Sequence, residues 1–293
     1  DDEPVRKALD YLRSSQEPDD TYEVSLLLMV YAAAKDRDDN GRMRRLVTRL
    51  EKSQKSFGPM KGCWSYSTAN AIIDTGGDHS NGQFAVLGLF EAAMAGIPVD
   101  RKVWENARNH WERAQSGDGG WGYASVGGND ATGSMTVAGI AVQVMTSAML
   151  LDDEKLDPDG NPPCCIKPEV DESLERGLRW MTNHFSVARN PGGGGWKYYY
   201  LYGLERAGRL SGRRFFGEND WYRSGARQLI GIQSKRTGLW DPAGNATDTN
   251  TATCFALLFL SKGLAPVLIN KLKYGPESVR NDDIDDWNRQ PND

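Results

Sequence analysis

Gln115-Ser116-Gly117-Asp118-Gly119-Gly120-Trp121-Gly122-Tyr123 joins two stretches of opposite character. Before it, Val103, Ala107, Trp111 and Ala114 fall on one face of a helical period, with Glu105, Arg108 and Glu112 on the other. That spacing predicts an amphipathic helix with a single apolar stripe. After it, the run from Ser134 to Val142 is apolar on nearly every side. A helix of that kind belongs in an interior. The glycines between them supply turn conformations.

The same succession recurs roughly every 50–60 residues, which is the mark of a repeat architecture. The amphipathic stretches end at Gln16, Gln54, Gln115, His184 and Gln233. The apolar partners run from Thr21 to Ala34, Asn81 to Phe90, Ser134 to Val142 and Ala252 to Leu260, with a tyrosine-rich member at Tyr198–Tyr202. Small residues on them (Ser25, Gly88, Gly139, Gly203 and Ala256 among others) permit close helix approach. The pattern predicts an all-α fold. Its simplest form is an α/α toroid of about five inner and outer helix pairs, or an incomplete six-fold barrel; an open solenoid is the plainer alternative. Aligned on their small residues, the inner helices place Glu23, Gln83, Thr136, Tyr198 and Cys254 in one column, where no residue type recurs. Residues 1–270 read as the repeat domain, and residues 271–293, dominated by Pro, Asn, Asp and Arg, as a polar tail or a linker to a further domain. The start on Asp1-Asp2-Glu3-Pro4, directly at a helix, suggests chain upstream.

The net charge of −5 and the absence of a dominant Lys/Arg face argue against a nucleic-acid partner. Arg42, Arg44, Arg45 and Arg49 read as a solvated helix face. The apolar stretches, at about 15 residues each, are too short for membrane spans. No glycine cluster follows a strand and opens a helix, so no dinucleotide or phosphate-loop fingerprint is present. The cysteines Cys63, Cys164, Cys165 and Cys254 lack zinc spacing, and no metal or cofactor is expected. One of the adjacent pair Cys164-Cys165 could bridge to Cys63 in an oxidising compartment.

Gln115, Gly119 and Trp121 resemble the Gln-Trp motif of squalene and oxidosqualene cyclases, and the segment from Asp78 to Leu89 is similar to the start of an inner helix in that superfamily. This prenyltransferase and squalene-oxidase repeat builds terpenoid cyclases and protein prenyltransferase β-subunits. The likeness covers roughly residues 1–265 and implies inner helices around a central cavity. More closely, Tyr199–Leu210, Arg213-Arg214-Phe215-Phe216-Gly217, Asp220-Trp221-Tyr222 and Asp286-Trp287-Asn288-Arg289 resemble exported bacterial proteins of unknown function, in which such a toroid precedes a second domain. That resemblance implies export, to the periplasm or cell surface, and no activity.

The superfamily's chemistry finds little footing. Asp283-Ile284-Asp285-Asp286 has the form of a cyclase acid motif but lies in the polar tail, where solvated carboxylates keep ordinary acidity. Asp248 and Cys254 resemble two zinc ligands of a prenyltransferase, but Asn250 and Thr251 stand where a histidine is needed. His110 and His184 fall on amphipathic stretches; only His79 is placed to face a cavity. Glu23, Asp78, Asp130 and Asp248 sit at or just before inner-helix starts, where paired carboxylates could act as acid and base on a polysaccharide, or serve as helix caps. They are the catalytic candidates. His79, Gln83, Tyr198, Tyr199 and Tyr202 are the ligand-binding candidates, because aromatic faces suit a hydrophobic or carbohydrate ligand. The expectation is a non-catalytic ligand-binding or scaffold toroid domain of an exported protein. The alternative is an enzyme acting on an isoprenoid or a polysaccharide.

Overall fold

Two kinds of helix alternate along the chain. The computed structural model describes residues 2–69, 76–124, 130–150, 171–242 and 248–262. Among them are ten α-helices: α1 (Glu3–Ser14), α2 (Thr21–Ala34), α3 (Asn40–Ser53), α4 (His79–Met94), α5 (Arg101–Ala114), α6 (Gly133–Leu150), α7 (Glu172–His184), α8 (Lys197–Leu210), α9 (Trp221–Ile232) and α10 (Thr249–Lys262). A short 3₁₀ turn at Arg37–Asp39 precedes α3, and two-residue strands, β1 (Phe215–Phe216) and β2 (Asn219–Asp220), pair antiparallel before α9. The fold is all-α.

The even-numbered helices form a series in which each packs on the next: α2 on α4, α4 on α6, α6 on α8 and α8 on α10. The amphipathic helices flank them, α3 on α2 and α4, α5 on α4 and α6, α7 on α6, and α9 on α8 and α10. Close approach within the series is set by missing side chains. A Cβ on Gly88 of α4 would stand 2.8 Å from Ser25 Cα of α2, and one on Gly203 of α8 would meet Val137 of α6 at 2.6 Å. Val24, Leu28, Phe84, Leu89, Val137 and Ile140 are fully enclosed as a result. Helix α6 alone among the described residues has the length and apolarity of a membrane span, and it is mostly buried in the core.

The recurring Gln, Gly and Trp act structurally. Gln54, Gln115 and Gln233 are the residues that end α3, α5 and α9. Gln115 Nε2 donates to its own loop at Gly119 O (2.8 Å) and to Ser173 O (2.8 Å) in the first turn of the following amphipathic helix. Gln54 does the same to Gly62 O and to Val103 O of α5. The indoles reach back: Trp64 Nε1–H donates to Leu50 O, Trp121 to Trp111 O and Trp240 to Leu229 O. Gly119, at φ 94°, lies so close to α7 that a Cβ would stand 2.7 Å from Arg176 O. The fourth loop departs from this scheme. Trp196 is left-handed at φ 59° and half exposed.

The two ends of the apolar series are not enclosed. Leu26 of α2 is 44% exposed, and on α10 Cys254 is exposed and Leu257 is 52% exposed. The sequence pattern predicts Cys254 and Leu257 to be buried because their helix is apolar all round. Among the described residues no further amphipathic helix covers that side of α10, so they meet solvent. Cys63 is buried, and Cys164 and Cys165 lie outside the described residues, as does Asp283-Ile284-Asp285-Asp286. Arg42, Arg45 and Arg49 are paired: Arg42 with the buried Asp39, Arg45 with Glu17, and Arg49 with Glu17 and Asp19.

Candidate functional site

The N-terminal turns of α2, α4 and α8 come together, and this convergence gathers the polar aromatic residues. Asp20 and Asp78 start α2 and α4 by accepting bonds from backbone N–H groups, Tyr22 and Glu23 in one case and Asn81 in the other. Tyr22 then lies on the first turn of α2, His79, Ser80 and Gln83 on the first turns of α4, and Tyr199 and Tyr202 on those of α8. Tyr22 meets Phe84 at a ring separation of 4.5 Å, and Phe84 stacks near Tyr199 at 6.2 Å. Phe255 of α10 closes the group against Tyr199 (5.9 Å) and Tyr202 (5.3 Å). Toward the loops, the Tyr66 and Tyr123 hydroxyls bond each other at 3.1 Å.

Behind these rings stands Arg206, from the third turn of α8 and only 5% exposed. Its guanidinium lies over the Tyr202 ring at 4.1 Å and the Phe84 ring at 5.5 Å. Nη2–H donates to Gln83 Oε1 at 2.9 Å, and Gln83 Nε2–H donates in turn to the Tyr199 hydroxyl. Nη1 is enclosed and has no partner among the described residues. No carboxylate among the described residues lies within ion-pair distance of Arg206, and its neighbour Glu205 pairs with Arg209. Enclosing a cation costs several kcal/mol. Two ring faces return roughly 0.5–2 kcal/mol each, and the Gln83 bond roughly 1.5–3 kcal/mol. An N–H left without an acceptor carries its own penalty of about 1–3 kcal/mol.

The phenols here are hard to ionise. Burial pushes Tyr22 up to about 12, Tyr199 well above the ordinary phenol value, and Tyr123 upward. At neutral pH they are hydrogen-bonding groups with apolar faces. Ser80 Oγ–H donates to Asp78 Oδ1 at 2.5 Å and Asn81 Nδ2–H to Asp78 Oδ2 at 2.7 Å, so the Asp78 carboxylate is engaged on both oxygens.

The remaining candidates fall elsewhere. Glu23 is exposed on another face of α2, where it lines a groove of about 560 Å³ between α1, α2 and α3. Asp130 is exposed beside a stretch outside the described residues. Asp248 is exposed and caps α10, accepting from the Thr251 hydroxyl and the Asn250 and Thr251 N–H groups; the Thr251 bonds lower its pKa. Tyr198 is buried but faces the Asp241 side. His79 turns away from the tyrosines, toward α5. Its ring packs on Trp111 (4.2 Å) and His110 (5.5 Å), and its Nδ1 bonds Gly122 O. Burial lowers His79 to about 4 and His110 to about 3, so both are neutral imidazoles. No group of three metal-ligating side chains is present among the described residues.

Sequence reasoning thus names Gln83, Tyr199 and Tyr202, which the fold brings together, and misses Tyr22, Phe255 and Arg206. Arg206 is the hardest to foresee, since an arginine one residue after Glu205 in a helix reads as a surface pair. The one available signal is its spacing of four from Tyr202 and seven from Tyr199, which puts all three on one helix face. No protein-family model matches the chain, and no curated protein matches it.

Proposed function

We propose that this chain is an α/α toroid of the terpenoid-cyclase and protein-prenyltransferase kind, serving as a non-catalytic ligand-binding domain of an exported bacterial protein. The ligand lies at the end where α2, α4, α8 and α10 converge. Support for the curved arrangement comes from contacts that skip a helix: α4 and α8 bond through Gln83 to Tyr199 and Arg206 although α6 packs between them in the series. The observation that carries the binding reading is the concentration of aromatic faces with one enclosed cation at a shared helix terminus. The non-catalytic part rests on the carboxylates: Asp78 and Asp248 are spent on capping and Glu23 faces another groove. An apolar ligand with a flat face suits half-buried rings such as Tyr199 and Phe255 better than a heavily hydroxylated one.

Thermal-shift and tyrosine-fluorescence titration against flat apolar probes and oligosaccharides tests this. At least one flat apolar probe is expected to bind, and Tyr199→Ala is expected to lose it while keeping the helical circular dichroism. Silence toward all flat probes overturns the reading. Chemical turnover of a bound probe overturns its non-catalytic part.

A further inference from the structure

The ligand's chemistry can be narrowed from Arg206, an inference that rests on the binding reading above. The side chain is nine-tenths buried, and its Nη1 is directed at no acceptor among the described residues. Its one hydrogen-bonded acceptor there is a neutral amide oxygen, Gln83 Oε1. A carboxamide has the shape of a carboxylate without its charge. Gln83 therefore holds the place that an anionic oxygen pair would fill beside the guanidinium, and the two-pronged match of guanidinium to carboxylate makes that exchange favourable. The N-terminus of α8, which no side chain caps, adds positive potential at the same end.

We infer that the site takes a monocarboxylate with a flat apolar body: its carboxylate displaces the Gln83 amide to pair with Arg206, and its body stacks on Tyr199 and Phe255. One charge is specified rather than two because Arg206 is the single cation in this cluster among the described residues, and a phosphate dianion would be left half compensated. Tyr199 Oη, released from Gln83, remains as a hydroxyl donor for the second carboxylate oxygen.

The test is calorimetric titration of the whole chain with 2-naphthoate, its neutral counterpart 2-naphthamide, and inorganic phosphate. 2-Naphthoate is expected to bind at least about 30-fold more tightly than 2-naphthamide, the scale of loss when one member of a buried charged pair is removed. Arg206→Met should erase that preference. Should Arg206→Met fail to fold, Gln83→Glu provides the second arm. It places an internal carboxylate on Arg206, and is expected to raise the melting temperature and abolish 2-naphthoate binding. Equal affinity for 2-naphthamide overturns the anion inference and leaves the binding site standing. Phosphate displacing 2-naphthoate at equal concentration overturns the monocarboxylate class. Undiminished 2-naphthoate binding by Gln83→Glu overturns the assignment of the carboxylate to Arg206. Failure of both naphthyl probes overturns the inference together with the reading on which it rests.

Discussion

Gln115 and Gln233 occupy the same repeat position yet do unequal work. Gln115 ties two segments, its own loop at Gly119 and α7 at Ser173, whereas Gln233 bonds only Gly238 among the described residues and is exposed. Gln115→Ala leaves two carbonyls short of a donor and should cost about 1–3 kcal/mol. Gln233→Ala, where water replaces the lost bond, should cost well under about 1 kcal/mol. Urea denaturation of the two variants checks this, and equal losses would mean that the link to the next helix carries no stability. Both glutamines are visible in the sequence by their fixed distance from a glycine and a tryptophan. What separates them is whether another helix arrives, which no local spacing records. Arg206 illustrates the same limit, because its surroundings come from α4, 123 residues away.

At the scale of elements, helix spans follow closely from apolar periodicity and capping residues. The stretch from Thr21 to Ala34 reads as one apolar helix and is one, started by the Asp20 side chain. The capping carboxylates are equally readable as catalytic groups, since an Asp at a helix start looks the same in either role until its partners are known. The crossing of α2 and α4 depends on Gly88, against which Ser25 is packed. Gly88→Ala forces backbone apart and should destabilise by about 1–3 kcal/mol. Gly231, on α9, has no atom within 4 Å of where a Cβ would go. Gly231→Ala should therefore stabilise by about 0.5–1 kcal/mol through helix propensity. Thermal melts that rank the two alike would contradict this packing of α2 on α4.

For the molecule as a whole, the buried pair His79 and His110 makes stability depend on pH. Both are held neutral when folded, near 4 and near 3, while an unfolded histidine titrates near about 6.5. Above pH about 6.5 neither state takes up a proton and the full stability is present. As pH falls below it, the unfolded chain binds protons that the folded one refuses, and stability is lost until the folded values are reached. At pH 5 the two residues together account for a loss of about 4 kcal/mol. His110→Gln should remove about half of that slope. Urea midpoints that are unchanged between pH 7.5 and pH 5 would show that the imidazoles are not enclosed in solution. In the sequence these histidines stand on helices of different character and nothing links them; α5 packing on α4 makes them neighbours. The amino-acid sequence alone determined the helix alternation and the loop chemistry, because periodicity, caps and glycine turns act over a few residues. Tertiary packing alone decided which side chains share the site, which glutamines find a second partner and which apolar helix faces are left open. Those outcomes depend on the approach of segments far apart in the chain, and a single strand of residues carries no measure of that distance.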